Sequence, residues 1–174
     1  GSGVRVARIT GDGGRLPLDP KKNTAAIAAT STLHKAGVDV GVELVIHKGM
    51  PLGSGLGSSA ASAVAAAFAV NGLIGKPLRR VDLVDACLDA EEAVSGRHAD
   101  NVAPSLLGGL VLVRSIAPID LVRLPVPDGL HVALVTPKHE LLTREARAIL
   151  PTQVSLGALV RNSASLAAFV SACY

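Results

Sequence analysis

A chain of 174 residues that is 49% hydrophobic and 18% charged has room for one ordinary domain, or one domain and part of another, and is too apolar to be disordered. Its net charge of +3 is scattered in ones and twos without interleaved aromatics, which argues against nucleic acid as a partner. Aromatic content of 2% leaves the core to Ala, Val, Leu and Ile, and the most apolar stretch, Ala60 to Val70, is shorter than the ~18 residues of a membrane span.

In chain order, Val4 to Thr10 reads as a strand with Val4, Val6 and Arg8 on one face, followed by a turn at Gly11-Asp12-Gly13-Gly14. Asp19-Pro20 predicts a helix start, with Asp as cap and Pro in the first turn, and the helix runs to Lys35 before Gly37. Val40 to Lys48 alternates as a strand. A glycine-rich loop leads into an Ala-rich helix from Ser58 to Leu73, apolar nearly all round and therefore expected to be buried. A second helix is predicted over Arg79 to Val94. Strands are predicted at Leu110 to Arg114, Ile119 to Leu124 and Leu130 to Val135, then a short helix at Thr143 to Leu150 and a last helix from Thr152. Mixed strands and helices without strict β-α-β repetition give an α+β class. No signal peptide is visible; the last helix ends in mid-pattern and there is no opening Met, so the expectation is a piece of a longer chain. Cys87 and Cys173 form no C-x-x-C pair, which points away from a disulfide framework and toward a reducing, cytoplasmic setting.

Residues 51–62, PLGSGLGSSAAS, carry the strongest chemistry. Gly53, Gly55 and Gly57 let the backbone approach a ligand, and Ser58 and Ser59 open a helix whose free N–H groups favour an anion. A tight turn with a serine cap is the competing reading. A Walker A loop is excluded because no Lys lies between Pro51 and Val70, and the Gly-x-Gly-x-Gly spacing is not a dinucleotide fingerprint. In residues 95–109, SGRHADNVAPSLLGG, Arg97, His98, Asp100 and Asn101 crowd together; a surface loop with a helix cap competes with a ligand site, and a metal site from His98 and Asp100 is weak. Glu91 follows Val84, Cys87 and Leu88 on the apolar side of its helix, whereas Asp82, Asp85, Asp89 and Glu92 form the polar side. A carboxylate there is costly without a partner such as a bound cation; the competing reading is a Glu at the helix end that bends back to solvent or pairs with Arg97.

These segments resemble the GHMP kinase superfamily (galactokinase, homoserine kinase, mevalonate kinase, phosphomevalonate kinase), and within it the homoserine kinase family. PLGSGLGSSAAS resembles the superfamily's phosphate loop; HADNVAPSLLGG at 98–109, DPKKNTA at 19–25 and TREAR at 143–147 resemble homoserine kinases. The resemblance implies an ATP- and Mg²⁺-dependent transferase that phosphorylates the homoserine side-chain hydroxyl in threonine biosynthesis. It implies a phosphate cradle from Pro51, Leu52, Gly53, Ser54, Gly55, Leu56, Gly57, Ser58, Ser59, Ala60 and Ala61, with Asn23 near the adenine. It implies Ser59 and Glu91 as Mg²⁺ ligands. His98, Asp100, Asn101, Thr143 and Arg147 would surround homoserine, with Asn101 and Arg147 at the reaction centre. The implied fold has two domains: residues 1–129 as an incomplete ATP-binding domain and 130–174 as the start of a C-terminal domain. A homodimer is compatible with it. The family's first strand and Asn/Gly/Asp loop, and its C-terminal Arg and Gly-rich segment, have no match here, so this chain alone is expected to be inactive. Another small-alcohol kinase of the superfamily, or an inactive nucleotide-binding module, are the alternatives.

Overall fold

The computed structural model describes residues 2–135, 146 and 148–174. Strand β1 (Gly3–Thr10) pairs in parallel with β2 (Gly41–His47), and helix α1 (Thr24–Lys35) connects them. Helices α2 (Ser58–Leu73), α3 (Arg80–Glu92) and α4 (Val102–Leu107) follow, then an antiparallel pair, β3 (Leu110–Ile116) and β4 (Ile119–Leu124), and helix α5 (Leu156–Ala172). The α+β expectation holds.

The low aromatic content dictates the packing. Ala26, Ala28, Ala29, Ala63 and Ala67 are fully buried, so α1 and α2 approach closely. One side of this helix pair (Ala25, Ala29, Leu33, Ala66, Val70) packs under Val4, Val42, Leu44 and Ile46 of the β1–β2 sheet. The other side meets Leu83, Val84 and Leu88 of α3, Val102 and Leu106 of α4, and Val111, Val113 and Leu121 of the hairpin.

Several expectations are corrected. The register of β1 shifts between Val6 and Arg8, so inward parity changes: Val4 and Val6 point in, Arg8 is exposed, and Ile9 takes the inner face. Helix α1 does not begin at Asp19-Pro20. The Asp19 side chain accepts from the Lys21 N–H (3.0 Å) and its carbonyl from the Lys22 N–H (3.0 Å), a local turn; Asn23 Oδ1 caps the helix by accepting from Ala25 and Ala26. Helix α2 is not covered all round. Ala65, Phe68, Ala69 and Leu73 form an exposed stripe, and Arg80 lies over the Phe68 ring at 5.4 Å. Leu130 to Val135 is not a strand: Leu130, Val132, Leu134 and Val135 are exposed, with no neighbouring strand among the described residues to complete a ladder. The last helix starts at Leu156, where the Ser155 hydroxyl can accept from the Ala158 N–H (3.2 Å), and it buries none of its residues. Thr143 and Arg147 lie outside the described residues, as does half of the helix expected there.

Candidate functional site

The loop 51–57 joins the end of β2 to the first turn of α2, and a cleft of ≈ 460 Å³ opens over it. Gly53, Gly55 and Gly57 all have left-handed backbones (φ 64°, 73° and 72°). Gly57 is the residue preceding α2, and no side chain caps the helix there, unlike Asn23 on α1 or Ser155 on α5. The first amide that bonds back is Ala61 N–H, to the Gly57 carbonyl (2.9 Å). The amides of Ser58, Ser59 and Ala60 are those that the helix geometry leaves without an intrahelical acceptor. With the helix dipole behind them, they make an anion seat at the cleft wall.

Of the eleven loop residues expected to cradle phosphate, Leu52, Gly53, Ser54, Gly55, Gly57, Ser58, Ser59 and Ala60 line the cleft; Pro51, Leu56 and Ala61 do not. Ser54 and Ser58 hydroxyls brace the loop by donating to the carbonyls of Pro51 (3.0 Å) and Met50 (3.3 Å). Asn23 also lines the cleft, but its side chain is engaged: besides capping α1, its Nδ2 donates to the Pro17 carbonyl (2.9 Å). This holds Leu16 and Pro17 over the cleft as an apolar edge.

Glu91 is 5% exposed, and its Oε1 has no hydrogen-bond partner; neither has the buried Ser59 Oγ. Burial pushes the Glu91 carboxyl up from its ordinary value, while the nearby Ser59 and Ser95 hydroxyls pull it down. Ser95 Oγ donates to the other oxygen, Oε2 (3.2 Å). Arg97 does not pair with Glu91; it reaches Asp85, Asp89 and Glu92 instead, and Glu92 is exposed. Two orphaned oxygens on facing elements suit a hard cation that prefers oxygen ligands. One turn before, Cys87 is pushed up to about 12 by burial and by the Glu91 charge, so its thiol stays protonated. Among the described residues, no three His, Cys, Asp or Glu side chains gather as a metal site.

His98, Asp100 and Asn101 also line the cleft. Asn101 occupies the cap position of α4 but makes no capping bond with its side chain. It packs instead on Gly57, where a Cβ would lie 2.9 Å from Asn101 Oδ1. Thus the glycine loop and the HADN segment are in direct contact.

Lys48 was not singled out from sequence. Its Nζ donates to the Ser58 carbonyl (2.7 Å) and Ser62 Oγ (2.6 Å), at the foot of the anion seat. Burial holds its ammonium below the usual lysine range, opposed by the Asp12 charge. Its one signal is position: a lysine between the strand and the glycine loop, whereas the Walker A pattern places its lysine after the glycines.

The model of the GHMP kinases N terminal domain matches residues 23–109. A homoserine kinase of Arabidopsis thaliana is 48% identical over 97% of this chain and 46% of its own length. One of Xylella fastidiosa (strain M12) is 45% identical over 98% of this chain and 52% of its own. A crystal structure of homoserine kinase from Cytophaga hutchinsonii superposes with a TM-score of 0.91 at 45% identity, covering 98% of this chain and 55% of that one. The chain spans about half the length of the curated relatives it matches. On the matched residues and their geometry together, this chain belongs to the GHMP kinase family.

Proposed function

We propose that the protein carrying this chain is a homoserine kinase, transferring the ATP γ-phosphate to the side-chain hydroxyl of homoserine. The observation that carries the reading is the pair of buried, unpartnered oxygens, Ser59 Oγ and Glu91 Oε1, beside an uncapped helix N-terminus in one cleft. Bound Mg²⁺·ATP would supply the transferable phosphoryl group and the cation that offsets its charge. The amides of Ser58 to Ala60 would hold phosphate oxygens, with Lys48 fixing the Ser58 carbonyl beneath them. Ser59 and Glu91 would hold the metal, and the Leu16–Pro17 edge with Asn23 would border the adenine. In the same cleft, Asp100 suits the homoserine ammonium, and His98 and Asn101 its polar groups. Asn101 cannot accept a proton at neutral pH, so it acts by orientation rather than as a general base.

Residues 1–129 are taken as the nucleotide-binding domain and 130–174 as the beginning of a second; the uncovered apolar side chains of α5, such as Leu159, Val160 and Phe169, support that division. Cys87 and Cys173, both buried and free, suit a reducing cytoplasm. Assay of the complete protein against homoserine, mevalonate, galactose and phosphomevalonate tests the function. Homoserine should give the highest kcat/KM, and preference for another acceptor would reject it.

Thr143 and Arg147 complete the acceptor site in this reading. They stand four residues apart in sequence, so on a helix they share a face. Arg147 pairs the homoserine carboxylate through a two-pronged guanidinium contact that Lys cannot reproduce. Arg147→Lys should raise the KM for homoserine about tenfold, about 1.4 kcal/mol of lost binding, and leave the KM for ATP nearly unchanged. If Arg147 only caps its helix, both constants stay put.

A further inference from the structure

Arg97 is the one polar side chain of the SGRHADN segment absent from the cleft lining, and it turns toward the polar side of α3. Its guanidinium is the hub of an ion cluster spanning three parts of the chain. Nη2 pairs with Asp85, and Nη1 donates to Asp89 Oδ1 (2.8 Å) and Glu92 Oε2 (3.2 Å). The second oxygens of the same two aspartates are held by α1: Lys35 Nζ lies 2.5 Å from Asp85 Oδ2, and Ser31 Oγ donates to Asp89 Oδ2 (2.5 Å). Asp85 and Asp89 are one helical turn apart, so each carboxylate bridges α1 to the segment that leaves α3. Burial raises the Asp89 carboxyl, but the bonds from Arg97 and Ser31 outweigh it and hold it below its ordinary value.

The backbone before Arg97 is fastened as well. The amides of Val94, Ser95 and Gly96 all donate to the Glu91 carbonyl (3.0, 2.9 and 3.2 Å). Gly96 is left-handed (φ 104°), and a Cβ there would lie 2.9 Å from His98 Nε2. Between this wrapped helix end and the start of α4, Arg97 ties the segment to α3 and, through the two aspartates, to α1, immediately before His98.

We propose that Arg97 is a positioning residue: clamped by Asp85 and Asp89, it sets how His98, Asp100 and Asn101 project into the cleft and thereby tunes acceptor binding without touching either substrate. The ion pairs are only partly buried, with side chains 30% exposed for Arg97 and 37% for each aspartate. Their contribution to overall stability is accordingly small, and their effect is on placement. Glu92, at 61% exposure, adds little.

The inference rests on the acceptor reading of the HADN segment given above, and two measurements keep the two apart. In the complete protein, Arg97→Gln should raise the KM for homoserine about tenfold and leave the KM for ATP within about twofold, because displacement falls on one wall of the cleft. Amide hydrogen exchange should quicken at residues 96–101 and stay unchanged in α2 and α3. Arg97→Lys, which retains an ion pair with one aspartate, should recover part of both. Should Arg97→Gln fail to give folded protein, Asp85→Asn removes one bridge and should show the same split at smaller amplitude. An equal rise in both KM values with faster exchange throughout α3 means a purely structural role and overturns the proposal. Unchanged kinetics and exchange overturn it too. If the unsubstituted protein does not phosphorylate homoserine, the function reading fails alone, and local exchange at 96–101 still decides for or against Arg97.

Discussion

Glu91→Gln should lower Mg²⁺-dependent turnover on the order of 10²-fold, and yet raise the melting temperature of the metal-free protein by about 2–4 °C. The two effects share one origin. Glu91 is buried with one oxygen unpartnered, and desolvation pushes its carboxyl up. Without a cation the charge is a local liability, and a neutral amide of the same shape relieves about 1 kcal/mol of it. With a cation the same carboxylate becomes a ligand that Gln replaces poorly. Ser59→Ala should lower turnover similarly but leave the melting temperature nearly unchanged, since it removes a neutral hydroxyl. Glu92→Gln is the control, because Glu92 is exposed and reaches only Arg97. Thermal melts with and without Mg²⁺, beside steady-state rates, check all three. Equal losses of turnover at the two Glu positions would reject Glu91 as a ligand.

Gly57→Ala should reduce kcat/KM for both substrates by at least about tenfold more than Gly55→Ala. Both glycines are left-handed, at φ 72° and 73°, so the backbone penalty of about 1–2 kcal/mol is the same. What differs is the space. A Cβ at Gly55 meets nothing within 4 Å, whereas one at Gly57 meets Asn101 Oδ1 at 2.9 Å, Cγ at 3.1 Å and Cβ at 3.2 Å. Asn101 or the loop must give way, and either movement separates the phosphate seat from the acceptor wall. Like effects at both positions would mean that strain alone, not the Gly57–Asn101 contact, matters. Kinetics of the two variants side by side decide it.

The elements legible from sequence were those whose local signals agree with their packing. The Ala-rich helix at Ser58 to Leu73 has both its bounds written in the glycine loop before it and Gly75 and Pro77 after it. Glu91 could be told from Glu92 by helical period alone, since one residue is a 100° turn and moves a side chain from the core to solvent. The failures came where a tertiary partner decides. Asp19-Pro20 carries a sound capping signal, but Asn23 competes for the same role, and its bond to the Pro17 carbonyl adds what Asp19 lacks. Leu130 to Val135 alternates like a strand, yet a strand exists only against a neighbour. Arg8 was misplaced by a single-residue bulge that reverses the parity of everything after it. Lys48 is invisible for a similar reason: nothing local says that the residue just after a strand folds back under the helix that follows the loop.

The most direct measurement is a structure of the protein with Mg²⁺ and a non-hydrolysable ATP analogue. The expected result is a metal at about 2.0–2.1 Å from Ser59 Oγ and a Glu91 carboxylate oxygen, with phosphate oxygens on the amides of Ser58 to Ala60. A nucleotide bound elsewhere, or a metal held by His98 and Asp100 while Glu91 Oε1 stays unpartnered, would contradict it.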